Sequence, residues 1–201
     1  MSPEKLPALP RLVHRLLDEP EGAEYKVGLF RQVAHNRGKG KAPEKKAKAA
    51  VLLAKQGGYH AVVIVRDRDR KRTADRLDPI KQKRESVLGS CLPACAIGLA
   101  VETFDAWMIA DGKAVGAAGG DAARSHPSPE SLDQEEGTGG HPKDRAIELF
   151  GSSRALTAAY ADIAAHVDLD LLEKLCPKGF APFAEEVRER IGPVVKEESG
   201  S

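Results

Sequence analysis

The residues with the clearest capacity for chemistry are Asp67 and Asp69, within Ala61–Arg72, AVVIVRDRDRKR. Two carboxylates two residues apart can share a hard cation such as Mg²⁺, which proteins hold through one or two carboxylates while water and phosphate fill the remaining positions. Arg66, Arg68 and Arg70 alternate with them and could hold a phosphate backbone beside such a metal. Ala61, Val62, Val63, Ile64 and Val65 lead into the acidic pair as a short apolar run. That is the pattern of a parallel strand buried on both faces. In open parallel sheets ligands bind outside the carboxyl ends of the strands, the end at which these aspartates stand. The same residues also suit a solvated charged turn, so the stretch alone leaves both readings open.

A second acidic set follows another apolar segment. Cys91–Val101, CLPACAIGLAV, reads as a buried strand, and ETFDAWMIADGKAVG continues from it as a helix. Glu102 and Asp105 are three apart at the start of that helix and share a face. If the two strands are neighbours, four carboxylates meet at one sheet edge, which is costly unless a cation or basic groups neutralise them. The ordinary alternative is that acidic residues favour helix N-termini through the dipole. A basic loop that leads into a helix lies ahead of the Ala61–Val65 strand, HNRGKGKAPEKKAK, with Lys39, Lys41, Lys45 and Lys46. Such a cluster is either a solvated loop or a source of sequence-independent affinity for nucleic-acid phosphates.

The remaining elements must position these residues. Pro3–Asp18 carries the apolar stripe Leu6, Leu9, Leu12, Val13, Leu16 and Leu17 of an amphipathic helix, with Pro7 and Pro10 delaying its regular part. Tyr25–Val33 alternates as a strand, a helix ends near Gly57-Gly58, and Thr73–Val87 is a basic helix interrupted near Pro79. Lys143–Phe150, Ser153–His166, Leu169–Leu175 and Phe180–Ile191 read as short amphipathic helices. The alternation of strands and helices predicts an α/β fold, a mostly parallel sheet flanked by helices with further helices towards the C-terminus. In domain terms, residues 1–115 form the α/β core and 116–142 a long surface loop. Residues 143–195 form the helical remainder of the same domain, and 196–201 a disordered tail.

Composition narrows the classes. Lys and Arg number 31 against 30 Asp and Glu, so net charge makes no case for nucleic-acid binding and only the clustering does. No apolar run approaches the roughly 18 residues of a membrane span. The opening MSPEKLPALPRLV lacks the pattern of a signal peptide. Three cysteines without framework spacing argue for a reducing compartment, so a cytoplasmic location is expected. Cys91 and Cys95 lack a second pair at zinc spacing, the histidines form no HExxH, and GAAGGD at Gly116–Asp121 lacks the Lys-Ser/Thr of a phosphate-binding loop. No GxSxG nucleophile elbow occurs. Trp107, beside Phe104 and Met108, reads as core.

Together RDRD after a buried strand, AVETFDAWMIAD (Ala100–Asp111), HPSPE (His126–Glu130), HPKDRAIELF (His141–Phe150) and CPKGFAPFAEEVRERI (Cys176–Ile191) resemble the bacterial domain-of-unknown-function family 4276 over nearly the whole chain. The tryptophan segment is the most specific part. That family is similar to the Toprim fold of topoisomerases, primases and the overcoming-lysogenization-defect nucleases. The resemblance implies a Mg²⁺- or Mn²⁺-dependent nuclease acting on DNA or RNA, with an AAA- or ABC-type ATPase partner, plausible in phage defence. It implies Asp67 and Asp69 as the metal-holding DxD and Asp105 as a shortened counterpart of a glutamate before Ala-Trp, the three forming the catalytic set; Glu102, from its place beside Asp105 at the helix start, is a further expected metal ligand. The family's usual first strand, ending in a catalytic Glu-Gly, has no counterpart before SPEKLPALPRLVHRLL. The alternative expectation is therefore a non-catalytic interaction subunit of an ATPase system.

Overall fold

Alternating apolar residues on two adjacent strands divide the molecule into layers. In the computed structural model, which describes residues 6–18, 20, 22–27, 43–68, 77–82, 84, 93–101, 103–132, 140–151 and 156–199, β1 (Ala61–Asp67) and β2 (Ala94–Ala100) pair in parallel. Their register runs from Ala61 opposite Ala94 to Asp67 opposite Ala100. Because strand side chains alternate, Ala61, Val63 and Val65 share a face with Ala94, Ala96 and Ala100, while Val62 and Ile64 share the other with Cys95 and Ile97.

The second face packs on α2 (Pro43–Gln56) through Ala47 and Val51, and on Leu77 and Ile80 of a helical stretch spanning 77–82 and 84. The first face receives α8 (Phe180–Arg190). Small residues on β2 permit this approach: a Cβ on Gly98 would lie 2.5 Å from the Phe183 ring. Phe183 stacks on Trp107 at 5.3 Å between centroids, and Phe180 meets the same indole edge-on at 5.2 Å. These three side chains are fully buried. Helices on both faces of a parallel sheet make this an α/β protein.

Around the aromatic cluster lie α1 (Ala8–Leu16), α3 (Phe104–Met108), α4 (Gly112–Ala117), α5 (Pro142–Phe150), α6 (Leu156–His166), α7 (Leu169–Leu175) and α9 (Gly192–Ser199). α1 buries Ala8, Leu12, Val13 and Leu16 against α6. Arg15 Nη1 donates to the carbonyls of Ala164 at 3.0 Å and Val167 at 2.7 Å. A cation there satisfies carbonyls that the end of α6 leaves unpaired and complements its dipole.

Several expectations are refined. Residues 23–27 carry no strand, and the rest of Tyr25–Val33 lies outside the described residues. The helix expected over ETFDAWMIADGKAVG is two helices, α3 and α4. Asp111 between them is extended, and its Oδ1 accepts from Lys113 N at 2.8 Å and Ala114 N at 3.3 Å. Residues 116–132 are not a plain surface loop. They contain the 3₁₀ turns Ala122–Arg124 and Pro129–Ser131, and Glu130 and Leu132 are buried. Towards the C-terminus, α9 extends through residues 196–199, which polarity alone reads as tail. Among the described residues no helix is long and apolar enough to cross a membrane.

One buried ion pair joins the 77–84 stretch to α8. Arg84, its side chain 4% exposed, pairs with Glu186 at 2.5 Å and donates to Cys95 O at 3.3 Å. Lys81 and Arg190 also meet Glu186, at 3.1 and 3.3 Å. Burial pushes the Glu186 carboxyl up, but the hydrogen bond and charge of Arg84, reinforced by Lys81, hold it below its ordinary 4.5. A depressed folded-state value makes this contribution complete above pH 4.5 and lost as pH falls through the folded value. Glu186→Gln leaves Arg84 buried without its counter-charge and should cost ~3–5 kcal/mol at pH 7. In urea titrations that difference should shrink as pH falls below 4.5. Gly98→Ala drives a methyl into the Phe183 ring and should cost about 1–3 kcal/mol, read as a lower urea midpoint at unchanged m-value.

Candidate functional site at the carboxyl ends of the strands

β1 ends at Asp67, and the parallel ladder continues one bond further, from Arg68 N to Ala100 O at 2.9 Å. β2 passes through Val101 into α3, so the start of that helix stands at the end of β1. Thr103 has the extended backbone of an N-cap, φ −148° and ψ 166°, yet its side chain makes no cap bond. Asp67 from the neighbouring strand does the work instead: Phe104 N donates to Asp67 Oδ1 at 2.9 Å. The first N–H groups of a helix have no partner within it, and a carboxylate there is also favoured by the helix dipole.

Asp105 is the next residue of α3. Tyr160, on α6, donates its hydroxyl to Asp105 Oδ1 at 2.5 Å. Burial, then the Asp105 charge and this hydrogen bond, push the Tyr160 phenol far above its ordinary value, so it remains a proton donor. The Phe104 ring meets the Tyr160 ring edge-on at 6.4 Å and tilts against Trp107 at 5.4 Å. One backbone step separates the two contacts: Phe104 N bonds Asp67, and Asp105 is the next residue, its carboxylate turned to Tyr160 on α6. Asp69 and Glu102 lie outside the described residues. Among the described residues no group of three or more His, Cys, Asp or Glu gathers as a metal site.

The basic residues are distributed by the same topology. Arg66 and Arg68 alternate with Asp67 and fall on the opposite sheet face, the one that α2 covers. Only four residues link α2 to β1. Gly58 there adopts φ +72°, and Tyr59 N closes back on Ala54 O at 2.9 Å, a helix C-terminal reversal that favours glycine. The chain therefore doubles back, and α2, about 21 Å long, lies along β1, about 23 Å long. Its first turn, with Lys45 exposed and Lys46 half-buried, comes level with the strand end that bears Asp67. Lys39, Lys41 and Arg70 lie outside the described residues.

Two further carboxylates are structural in their contacts. Asp111, 3% exposed, caps α4 with Oδ1 and accepts from Asp168 N with Oδ2 at 3.1 Å. Glu130, from the HPSPE segment, is buried at the start of α8, where its Oε2 accepts from Lys178 N at 2.9 Å. A Cβ on Gly179 would lie 2.5 Å from Glu130 Oε1 and 2.7 Å from Leu99 O, so glycine lets the carboxylate approach both the helix and β2. The Cys176 thiol is pushed up by burial and by the Glu130 charge. Tyr160 has no motif around it in the sequence, and the Asx pattern before Gly112 is the only local sign of Asp111.

Compared with models of known protein families, with curated proteins and with solved structures, the chain finds no match in any of the three.

Burial raises the Glu130 carboxyl above its ordinary 4.5, against the pull of the Lys178, Gly179 and Phe180 amides and the Lys178 charge. A raised folded-state value means that the native state retains a proton the unfolded chain has released, so stability falls as pH rises through the folded value. Glu130→Gln keeps an acceptor for Lys178 N and removes that titration. Relative to the parent its melting temperature should rise as pH increases from 4.5 to 8, with the two curves converging at lower pH.

Proposed function

We propose that this chain is a Mg²⁺- or Mn²⁺-dependent phosphodiesterase acting on DNA or RNA, built on a Toprim-like α/β core. The observation that carries the proposal is the bond from Phe104 N to Asp67 Oδ1, because it seats the start of the helix that bears Asp105 against an aspartate at the ligand-binding end of a parallel sheet. The oxygen donors of the two aspartates suit a hard divalent cation, which needs only one or two carboxylates when water and phosphate complete the shell. A bound Mg²⁺ or Mn²⁺ would supply polarisation of the phosphodiester and a more acidic water.

The chain's own groups have separate tasks in this reading. Asp67 and Asp105 hold the ion, with Asp69 and Glu102 as the further carboxylates of the same set. Lys45 and Lys46, in the first turn of α2, would meet the nucleic-acid backbone through the charge that phosphate contacts require, while Arg66 and Arg68 would add positive charge from the sheet face that α2 covers. An AAA- or ABC-type ATPase is the proposed partner, on the ground of the sequence resemblance alone.

A second reading is favoured by the same contacts. Asp67 caps α3 and Asp105 receives Tyr160, so both aspartates have structural employment. An interaction subunit of an ATPase system would use them for that alone.

Plasmid DNA and single-stranded RNA incubated with Mg²⁺ or Mn²⁺ separate the two readings. Metal-dependent cleavage should occur and should fall at least ~10²-fold in Asp67→Asn and Asp105→Asn, which retain hydrogen-bond acceptors but lose the charge that binds metal. Absence of cleavage with the ATPase present would leave the interaction-subunit reading in place of the nuclease.

A further inference from the structure

We propose that Tyr160 is a positioning residue that sets the Asp105 carboxylate for metal binding, an inference that rests on the metal-dependent reading above. The hydroxyl comes from α6, 55 residues further along the chain, and engages only Oδ1. Among the described residues Oδ2 of Asp105 makes no hydrogen bond or ion pair, so the contact fixes one oxygen and leaves its twin for a ligand. A carboxylate half-exposed at a helix start otherwise samples several rotamers, each presenting the oxygens differently. A phenol has one proton to donate, and in this geometry it is aimed at Oδ1.

The donor itself is well anchored. Ala159, Ile163 and Ala164 of α6 are buried in the core, Arg15 holds the carbonyls at its C-terminal end, and the Phe104 ring rests against the tyrosine ring. Tyr160 is therefore set by packing that does not involve Asp105, whereas Asp105 takes its orientation from Tyr160. Outer partners that orient a ligating group in this way typically contribute about 10–100-fold to metal affinity. A tyrosine that only satisfies its own hydroxyl would leave metal affinity unchanged when that hydroxyl is removed.

The test is Mn²⁺ binding by electron paramagnetic resonance on the full chain, without substrate or turnover, alongside metal-free melting. Tyr160→Phe should weaken Mn²⁺ by about 10–100-fold with little change in metal-free melting temperature, and should have no added effect on Mn²⁺ affinity in an Asp105→Asn background. If Tyr160→Phe binds Mn²⁺ like the parent while Asp67→Asn and Asp105→Asn bind weakly, the role of Tyr160 is overturned and the metal site stands. Equal weakening by Tyr160→Phe with and without Asp105 also overturns it, since the effect then bypasses the carboxylate. If the parent does not bind Mn²⁺, or neither aspartate variant weakens it, the metal-dependent reading falls and this inference with it. Should Tyr160→Phe fail to fold, the parent labelled with 3-fluorotyrosine answers the same question. Mg²⁺ should shift the Tyr160 fluorine resonance, assigned with Tyr25→Phe and Tyr59→Phe, and an unmoved resonance in a chain that binds Mg²⁺ overturns the proposal.

Discussion

The seating of Phe183 on Gly98 is the contact from which the rest of this architecture follows. Two paired strands have too little ladder to be stable alone and need packing against helices. α8 supplies that packing only because β2 offers Ala94, Ala96, Gly98 and Ala100 towards it. The close approach brings Phe180 and Phe183 onto Trp107 and so fixes α3, which carries that tryptophan. With α3 fixed, its first N–H meets Asp67 and its second residue meets Tyr160. The geometry of the strand-end edge is thus a consequence of hydrophobic packing beneath it rather than of the charges themselves.

Among the described residues, Asp111, Glu130 and Glu186 each meet backbone N–H groups or cations. Asp111 serves two helix starts, Glu130 a third, and Glu186 takes Arg84, Lys81 and Arg190. The outcomes differ. Glu186 is held below its usual range because full cations face it, whereas Glu130 is raised because amide dipoles do not offset its burial. Deeper burial of Glu130 and stronger partners at Glu186 leave the two carboxylates with opposite dependence on pH.

The parallel strands, the placement of Asp67 at a strand end and the core position of Trp107 were legible from the sequence, because apolar runs and their boundaries are local signals. Leu169–Leu175 was legible to the residue, and α5 and α8 nearly so, from apolar periodicity between Pro and Gly signals. What the sequence hid was every contact made across the chain. Thr103-Phe104-Asp105 looks like an ordinary capped helix start, and nothing local tells that the cap comes from Asp67 on another strand. Asp111 splits an apparently continuous apolar pattern because its second oxygen has Asp168 N to bind, 57 residues away. The HPSPE segment reads as loop, yet Glu130 is drawn inward by helix amides that exist only once α8 is docked.

Arg15 gives this dependence on distant contacts a temporal side. Its acceptors, the carbonyls of Ala164 and Val167, lie 149 and 152 positions later in the chain. During synthesis α1 leaves the ribosome at ~5–20 residues per second, so it waits roughly 7–30 seconds before α6 exists to be held. Until then its leucine face, Leu12 and Leu16 among others, has no native surface to cover. The hydroxyl that meets Asp105 rides on that same α6, so Asp105 is without this partner until α6 has been made.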